Sequence, residues 1–279
     1  MLVRPLRISR NGTINHAYQM SYSRYSSLLR HFASISLSVA VLLAFWETAY
    51  RLGFDRSPFV PPPSTICRAF VEMVKTGELL SDVSVSLYRA LGGFAVGSFL
   101  GAAVGILSGR LPIVDRTLGG LIRAFRSIPS IALVPLAIVW FGLGESGKIA
   151  LVAWGVFFPV WINSHIGATR VATPVIWAAR SLGASRFRLL FEIILPSALP
   201  FIVAGMRTGM AIAFVVLVAA EMAGAFGGLG YRIYVSHLVF RVDKMMVGIF
   251  VLGLLGAFTD LLFAAIIARL PWSGGDGDL

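Results

Sequence analysis

Val83-Ser84-Val85-Ser86-Leu87-Tyr88-Arg89-Ala90-Leu91-Gly92-Gly93-Phe94-Ala95-Val96-Gly97-Ser98-Phe99-Leu100-Gly101-Ala102-Ala103-Val104-Gly105-Ile106-Leu107 carries a single charge, Arg89. A helix of about 20 mostly apolar residues crosses a hydrocarbon core of about 30 Å. This run therefore reads as a membrane span. Gly93, Gly97, Gly101, Gly105 and Gly109 recur at every fourth residue. That spacing leaves one helix face almost without side chains, so another backbone can approach closely. Such a face serves tight packing within one bundle or across a dimer. Gly205 and Gly209 make a shorter version.

Five further apolar runs flank it, at about 31–50, 128–142, 149–168, 198–220 and 245–267. The run at 128–142 is short and interrupted by Pro129 and Pro135. Six spans define an all-α fold, a polytopic helical bundle over residues 31–270. The whole-chain figures agree. The 279 residues are 57% hydrophobic and 13% charged, with a mean hydropathy of +0.82. A soluble domain is about 25% charged, and a globule of this size could not hide so much apolar surface. A disordered or nucleic-acid-coating chain is excluded too, because the basic residues lie between apolar runs and not in a patch with interleaved aromatics.

Charge sets the expected orientation. Segments 1–30, 108–127, 169–197 and 268–279 hold fourteen Lys/Arg and four Asp/Glu, against eight and seven in 51–82, 143–148 and 221–244. A net of +10 against +1 predicts that both termini are cytoplasmic. Residues 1–30 contain no acid and no apolar core of a signal peptide, and read as a disordered basic tail. Residues 271–279 read as a short flexible tail. The loop after the first span contains Pro61-Pro62-Pro63-Ser64, which ends that span; residues 64–76 then form a short helix, with Ser64 as its cap.

Enzyme chemistry has little to stand on. His16, His31, His165 and His237 are scattered, Cys67 stands alone, and no metal-ligand spacing occurs. Gly142-Leu143-Gly144-Glu145-Ser146-Gly147-Lys148 imitates a phosphate-binding loop. However, Ile149 stands where a hydroxyl should reach magnesium, and no strand precedes it. It reads as a turn between spans.

The cytoplasmic segment 173–196 is more informative. Thr173-Pro174 opens a helix, Gly183 ends it in the left-handed region, Ser185 caps a second helix and Pro196 stops that one. The product is an elbow with a small apolar knob, Ala178, Ala179, Leu182 and Ala184, rimmed by Arg180, Arg186 and Arg188. Two readings stand: docking into a groove of another protein, or a connector lying on lipid.

The spacing A-A-x-x-x-G-x(9)-I-x-L-P, from Ala178 to Pro196, resembles the "EAA" loop of ABC-importer permeases. Pro62-Pro63-Ser64, Ser86-Leu87-Tyr88-Arg89, Ile128-Pro129-Ser130, Trp140-Phe141-Gly142, Ala220-Glu221-Met222 and Gly228-Leu229-Gly230-Tyr231 are similar to the nitrate/sulfonate/taurine branch of that family. The likeness covers about residues 58–270. Trp177 departs from it, standing where the loop usually has its glutamate.

The resemblance implies a multi-pass permease of the bacterial inner membrane and no enzyme. It would form a dimer of two copies, with an ABC ATPase dimer beneath and a periplasmic or extracellular substrate-binding protein outside. ATP and magnesium would belong to the ATPase subunit, and this chain would hold no cofactor or metal. The solute implied is a small anion such as a sulfonate, taurine or nitrate. The ATPase-coupling residues would be Ala178, Ala179, Arg180, Leu182, Gly183, Ala184 and Arg186. Pathway or gate candidates are Arg89, Arg207, Glu221 and Met222. Arg207 and Arg89 could meet an anion, or snorkel or pair with a helix end. Glu221 could serve a gate, or be a helix-end charge facing water. A self-contained, ion-coupled secondary transporter remains the alternative, although no inverted repeat supports it.

Overall fold

The structure is a computed structural model that describes residues 37–53 and 59–268. No strand occurs among the described residues. The helices are α1 (37–51), α2 (Pro63–Lys75), α3 (Glu78–Arg110), α4 (Pro112–Phe125), α5 (Val134–Phe141), α6 (Glu145–Thr169), α7 (Thr173–Ser181), α8 (Arg186–Gly224), α9 (Leu229–Leu238) and α10 (Val242–Ala268).

Residues 66–268 are organised about α6, which lies between α3 and α8. Val152, Val156 and Val160 on α6 are fully buried, against Ala90 and Phe94 of α3 and Ala213, Phe214 and Leu217 of α8. The glycine row of α3 faces α6 along its whole length. A Cβ placed on Gly97 would lie 2.5 Å from the Ala153 carbonyl oxygen, and one on Gly101 2.7 Å from that of Phe157. Gly105 and Gly109 abut Ser164 and Ala168 in the same way, and Gly205 and Gly209 of α8 meet the adjoining face of α6, at Val156, Pro159 and Val160. The central helix is therefore approached closely by the backbones of both neighbours.

Four helices, α3, α6, α8 and α10, are long and apolar enough to cross a membrane. This corrects the expectation of six simple spans in one respect. The run expected as a span at 128–142 is a 3₁₀ turn, Ser130–Leu133, followed by α5 of eight residues. Eight residues reach only about 12 Å. Pro129 and Pro135 explain the shortness, because proline removes a helix donor and disfavours helix in the residue before it. Paired with α4, the segment makes one broken unit bent by 86°. For the first expected span, residues 37–51 are helical; residues 31–36 and the two expected tails lie outside the described residues. In α1, Glu47 accepts hydrogen bonds from the Ser64 backbone N–H (3.1 Å) and Oγ (3.0 Å). Ser64 thus sits inside the first turn of α2 and is not its cap.

Pro196 does not stop the second elbow helix. α8 runs unbroken through Pro196 and Pro200. A π-turn at Leu189–Ile194 takes up the fault: Leu195 donates to the Leu190 carbonyl five residues back. Widening the ladder just before Pro196 lets the chain absorb a residue without an N–H. Likewise Thr173 is the first helical residue of α7 and Ala172 precedes it as the cap, with no side-chain hydrogen bond.

Candidate functional site

Two features at opposite ends of the bundle hold most of the polar chemistry. At one end α3 carries Asp82, Ser86 and Arg89, spaced by four and three residues and so on one face. All three are buried. Arg89 is the hub. Its guanidinium donates to Glu145 at the start of α6 (2.7 Å), to Glu221 near the end of α8 (2.7 Å) and to the Gly227 carbonyl (2.7 Å). Glu221 is 0% exposed and also accepts from Ser86 Oγ (2.9 Å) and the Gly230 backbone N–H (2.8 Å).

Glycines make the last contact possible. Gly228 has φ +112, and a side chain there would run into the Glu221 carboxylate. Asp82 accepts from the Gly228 N–H (3.0 Å) and from Arg232 of α9 (2.7 Å), while Ser86 Oγ accepts from the Leu229 N–H (2.9 Å). Thus α3, α6, α8 and α9 are tied by one network in which every buried charge has a partner. Lys148 closes the adjoining turn, donating to the Leu143 (2.6 Å) and Gly144 (3.0 Å) carbonyls. The phosphate-loop lookalike is accordingly a turn whose lysine is buried and committed.

This arrangement joins two residues that the sequence treated separately, Arg89 and Glu221, and it removes the picture of Glu221 as a charge facing water. Met222, next to Glu221, is exposed and outside the network. Sequence reasoning missed Asp82, Ser86 and Glu145. The signal was present, since three polar residues on one face of an otherwise apolar span require partners.

Arg207 lies elsewhere. It makes a two-pronged pair with Asp260 of α10, at 2.8 and 3.0 Å, so it neither snorkels alone nor pairs with a helix end. The pair borders a groove of about 560 Å³ lined by Met210, Phe214, Val218, Leu252 and Gly256.

At the other end is the elbow. Gly183 has φ +83. Its N–H donates to the Arg180 carbonyl (2.9 Å) and the Ala184 N–H to the Ala179 carbonyl (3.0 Å), the paired bonds of a Schellman ending. Ser185 Oγ caps the next helix by accepting from the Arg188 N–H. Ala178, Arg180 and Arg186 are exposed, and Ala179 and Ala184 half-buried. Leu182 at the tip is 88% exposed, and Trp177 and Phe187 on the same elbow are also exposed, though less so.

The family described as binding-protein-dependent transport system inner membrane component matches residues 93–271. The chain belongs to that family. It is 37% identical over 84% of its length to a Bacillus subtilis protein named for aliphatic sulfonates transport, the permease protein SsuC, covering 85% of that chain. It is 34% identical over 85% of its length to the taurine transport system permease protein TauC of Escherichia coli, covering 88% of it. Among solved structures, a chain of the inward-facing MetNI methionine ABC transporter shares the fold, with a TM-score of 0.55 and 22% identity over 65% of this chain and 92% of that one. The protein is therefore a membrane-embedded permease component of an ABC importer and not an enzyme. The self-contained carrier is set aside.

Proposed function

We propose that two copies of this chain form the membrane pathway of an ATP-driven importer for a small organic anion, an aliphatic sulfonate or taurine. A separate ATPase dimer sits on the elbow, and a soluble binding protein delivers solute at the Glu221 end. The observation that carries this reading is the elbow itself. A helix ended by Gly183, with Leu182 almost fully exposed at its tip and Arg180 and Arg186 at its rim, has the form of a knob for a protein groove. ATP binding in the partner would draw two elbows together and rock α8, which continues without a break from Arg186 to Gly224. ATP and magnesium are the partner's ligands. The relatives' names support the solute class, and the excess of positive charge in the elbow-side segments supports an inner membrane location with both termini on the ATPase side. Trp177, 64% exposed, fills the place of the motif glutamate and offers the partner an apolar plate instead of a charge.

The test is uptake of ³⁵S-labelled taurine and ethanesulfonate by cells that lack their own sulfonate importers. The cells express this chain with the ATPase and binding protein that co-purify with it. Uptake should stop on ATP depletion with the proton gradient maintained. Uptake that persists on the gradient alone would sink the reading.

A further inference from the structure

The bend between α4 and α5 brings a charge into the middle of the bundle. Residues 126–129 are non-helical. Their depth is fixed by their neighbour, because the Phe125 ring stands edge-to-face against Trp154 with centroids 5.8 Å apart. Trp154 is nine residues into α6, about 14 Å from its Glu145 end. Arg126 thus lies near mid-membrane depth. By charge distribution alone it belonged to the polar segment 108–127.

Arg126 opens onto a cleft of about 400 Å³ between the bend, α6 and α8. Ser130, Asn163 and Thr208 give the cleft a polar side, and Ile128, Phe158 and Ile212 an apolar one. Arg126 is exposed there and makes no ion pair among the described residues, unlike Arg89 and Arg207, which are matched to carboxylates. Backbone that is not helical at membrane depth persists only where it is buried in protein or lines a water-filled cavity. An exposed arginine at that depth is costly unless it meets water or an anion. Both arguments place water in this cleft.

We infer that Arg126 holds the anionic head of the solute in transit. The Ser130 hydroxyl completes the polar side, Thr208 borders it with its own hydroxyl donated to the Ala204 carbonyl (3.2 Å), and the Ile128–Phe158–Ile212 wall takes the alkyl chain. The ligand class is a small amphiphilic monoanion, an alkanesulfonate in form, and divalent cations are excluded by the charge. This inference rests on the small-anion reading given above.

The test uses the assembled transporter, with ATPase, in proteoliposomes. Thr208→Cys is placed in a Cys67→Ser background and exposed to two thiol reagents, the anionic sulfonatoethyl and the cationic trimethylammonioethyl methanethiosulfonates. A basic cleft concentrates anions by about tenfold or more. The anionic reagent should therefore react faster, and adding Arg126→Gln should cut its advantage about tenfold. In parallel, Arg126→Gln should lower sulfonate uptake at least as strongly, with Arg126→Lys intermediate and all variants assembling with the ATPase. An unreactive Thr208→Cys would mean a dry or lipid-covered cleft and would overturn the inference, as would a reagent preference indifferent to Arg126. If wild-type complex carries no sulfonate, the small-anion reading fails on its own, and the two reagents still decide whether Arg126 attracts anions into a wet cleft.

Discussion

At the scale of single residues, Arg89 and Glu221 are the most consequential pair. Both are buried, and their 2.7 Å contact is backed by Ser86, Gly230 and Glu145. Removing one member of a buried ion pair strands the other and costs about 3–5 kcal/mol, whereas removing both is far milder. Arg89→Leu should therefore leave Glu221 with only neutral donors and depress the melting temperature of the purified permease sharply. The double variant Arg89→Leu/Glu221→Leu should recover more than half of that loss. Additive losses in thermal unfolding of the four proteins would show that the pair is not coupled. Gly228→Ala should destabilise in the same assay by a different route, because a methyl group there meets the Glu221 carboxylate on a backbone already at positive φ. Arg89 and Glu221 were each visible in the sequence as charges at span ends. Their union was not, because 132 residues separate them and only the packing of α3 beside α8 brings them together.

At the scale of elements, the helices follow the sequence where periodicity governs and depart where proline chemistry is local. The glycine row of α3 was legible because a four-residue repeat has one physical use in lipid, close backbone approach. It follows that Gly97→Leu, whose Cβ would start 2.5 Å from the Ala153 carbonyl oxygen, should abolish folded yield, read as the monodisperse fraction in size-exclusion chromatography. The α7 ending was also legible, since a glycine after an apolar-periodic turn predicts a left-handed residue. Pro196 was misread because proline normally ends a helix, and nothing in the sequence announces the π-turn at Leu189–Ile194 that accommodates it. The continuity of α8 has a mechanical meaning: the second helix of the elbow and the span are one helix from Arg186 to Gly224. Gly183→Val puts a β-branched residue at φ +83 and should unseat the Schellman bonds. The expected outcome is normal membrane insertion with uptake lost, and wild-type uptake in this variant would separate the elbow from coupling.

At the scale of the whole molecule, the core is built around α6, and α10 is the outlying span. Only 6% of its most apolar window is buried, against 39–44% for α3, α6 and α8. Near the network end α10 touches α9, and its Lys244 donates to Glu78 of α3 (3.2 Å) and pairs with Glu72 of α2; farther along, Leu252, Leu255 and Phe263 pack on the core, the last edge-to-face with Phe94 at 6.1 Å between ring centroids, and Asp260 pairs with Arg207. Neither charge would persist in lipid alone, so each is the other's reason for being there. The pair then acts as a clasp that sets how α10 lies against α8 along the groove they share. A clasp depends on complementarity and not on which helix carries which sign. Arg207→Asp and Asp260→Arg should each lower the melting temperature and the folded yield by placing two like charges side by side. The exchange variant Arg207→Asp/Asp260→Arg should restore both, and uptake with them if the pair is only a clasp. Restored folding with uptake still absent would instead show that the arginine must stand on α8, where a solute could use it, and would return Arg207 to the pathway alongside Arg126.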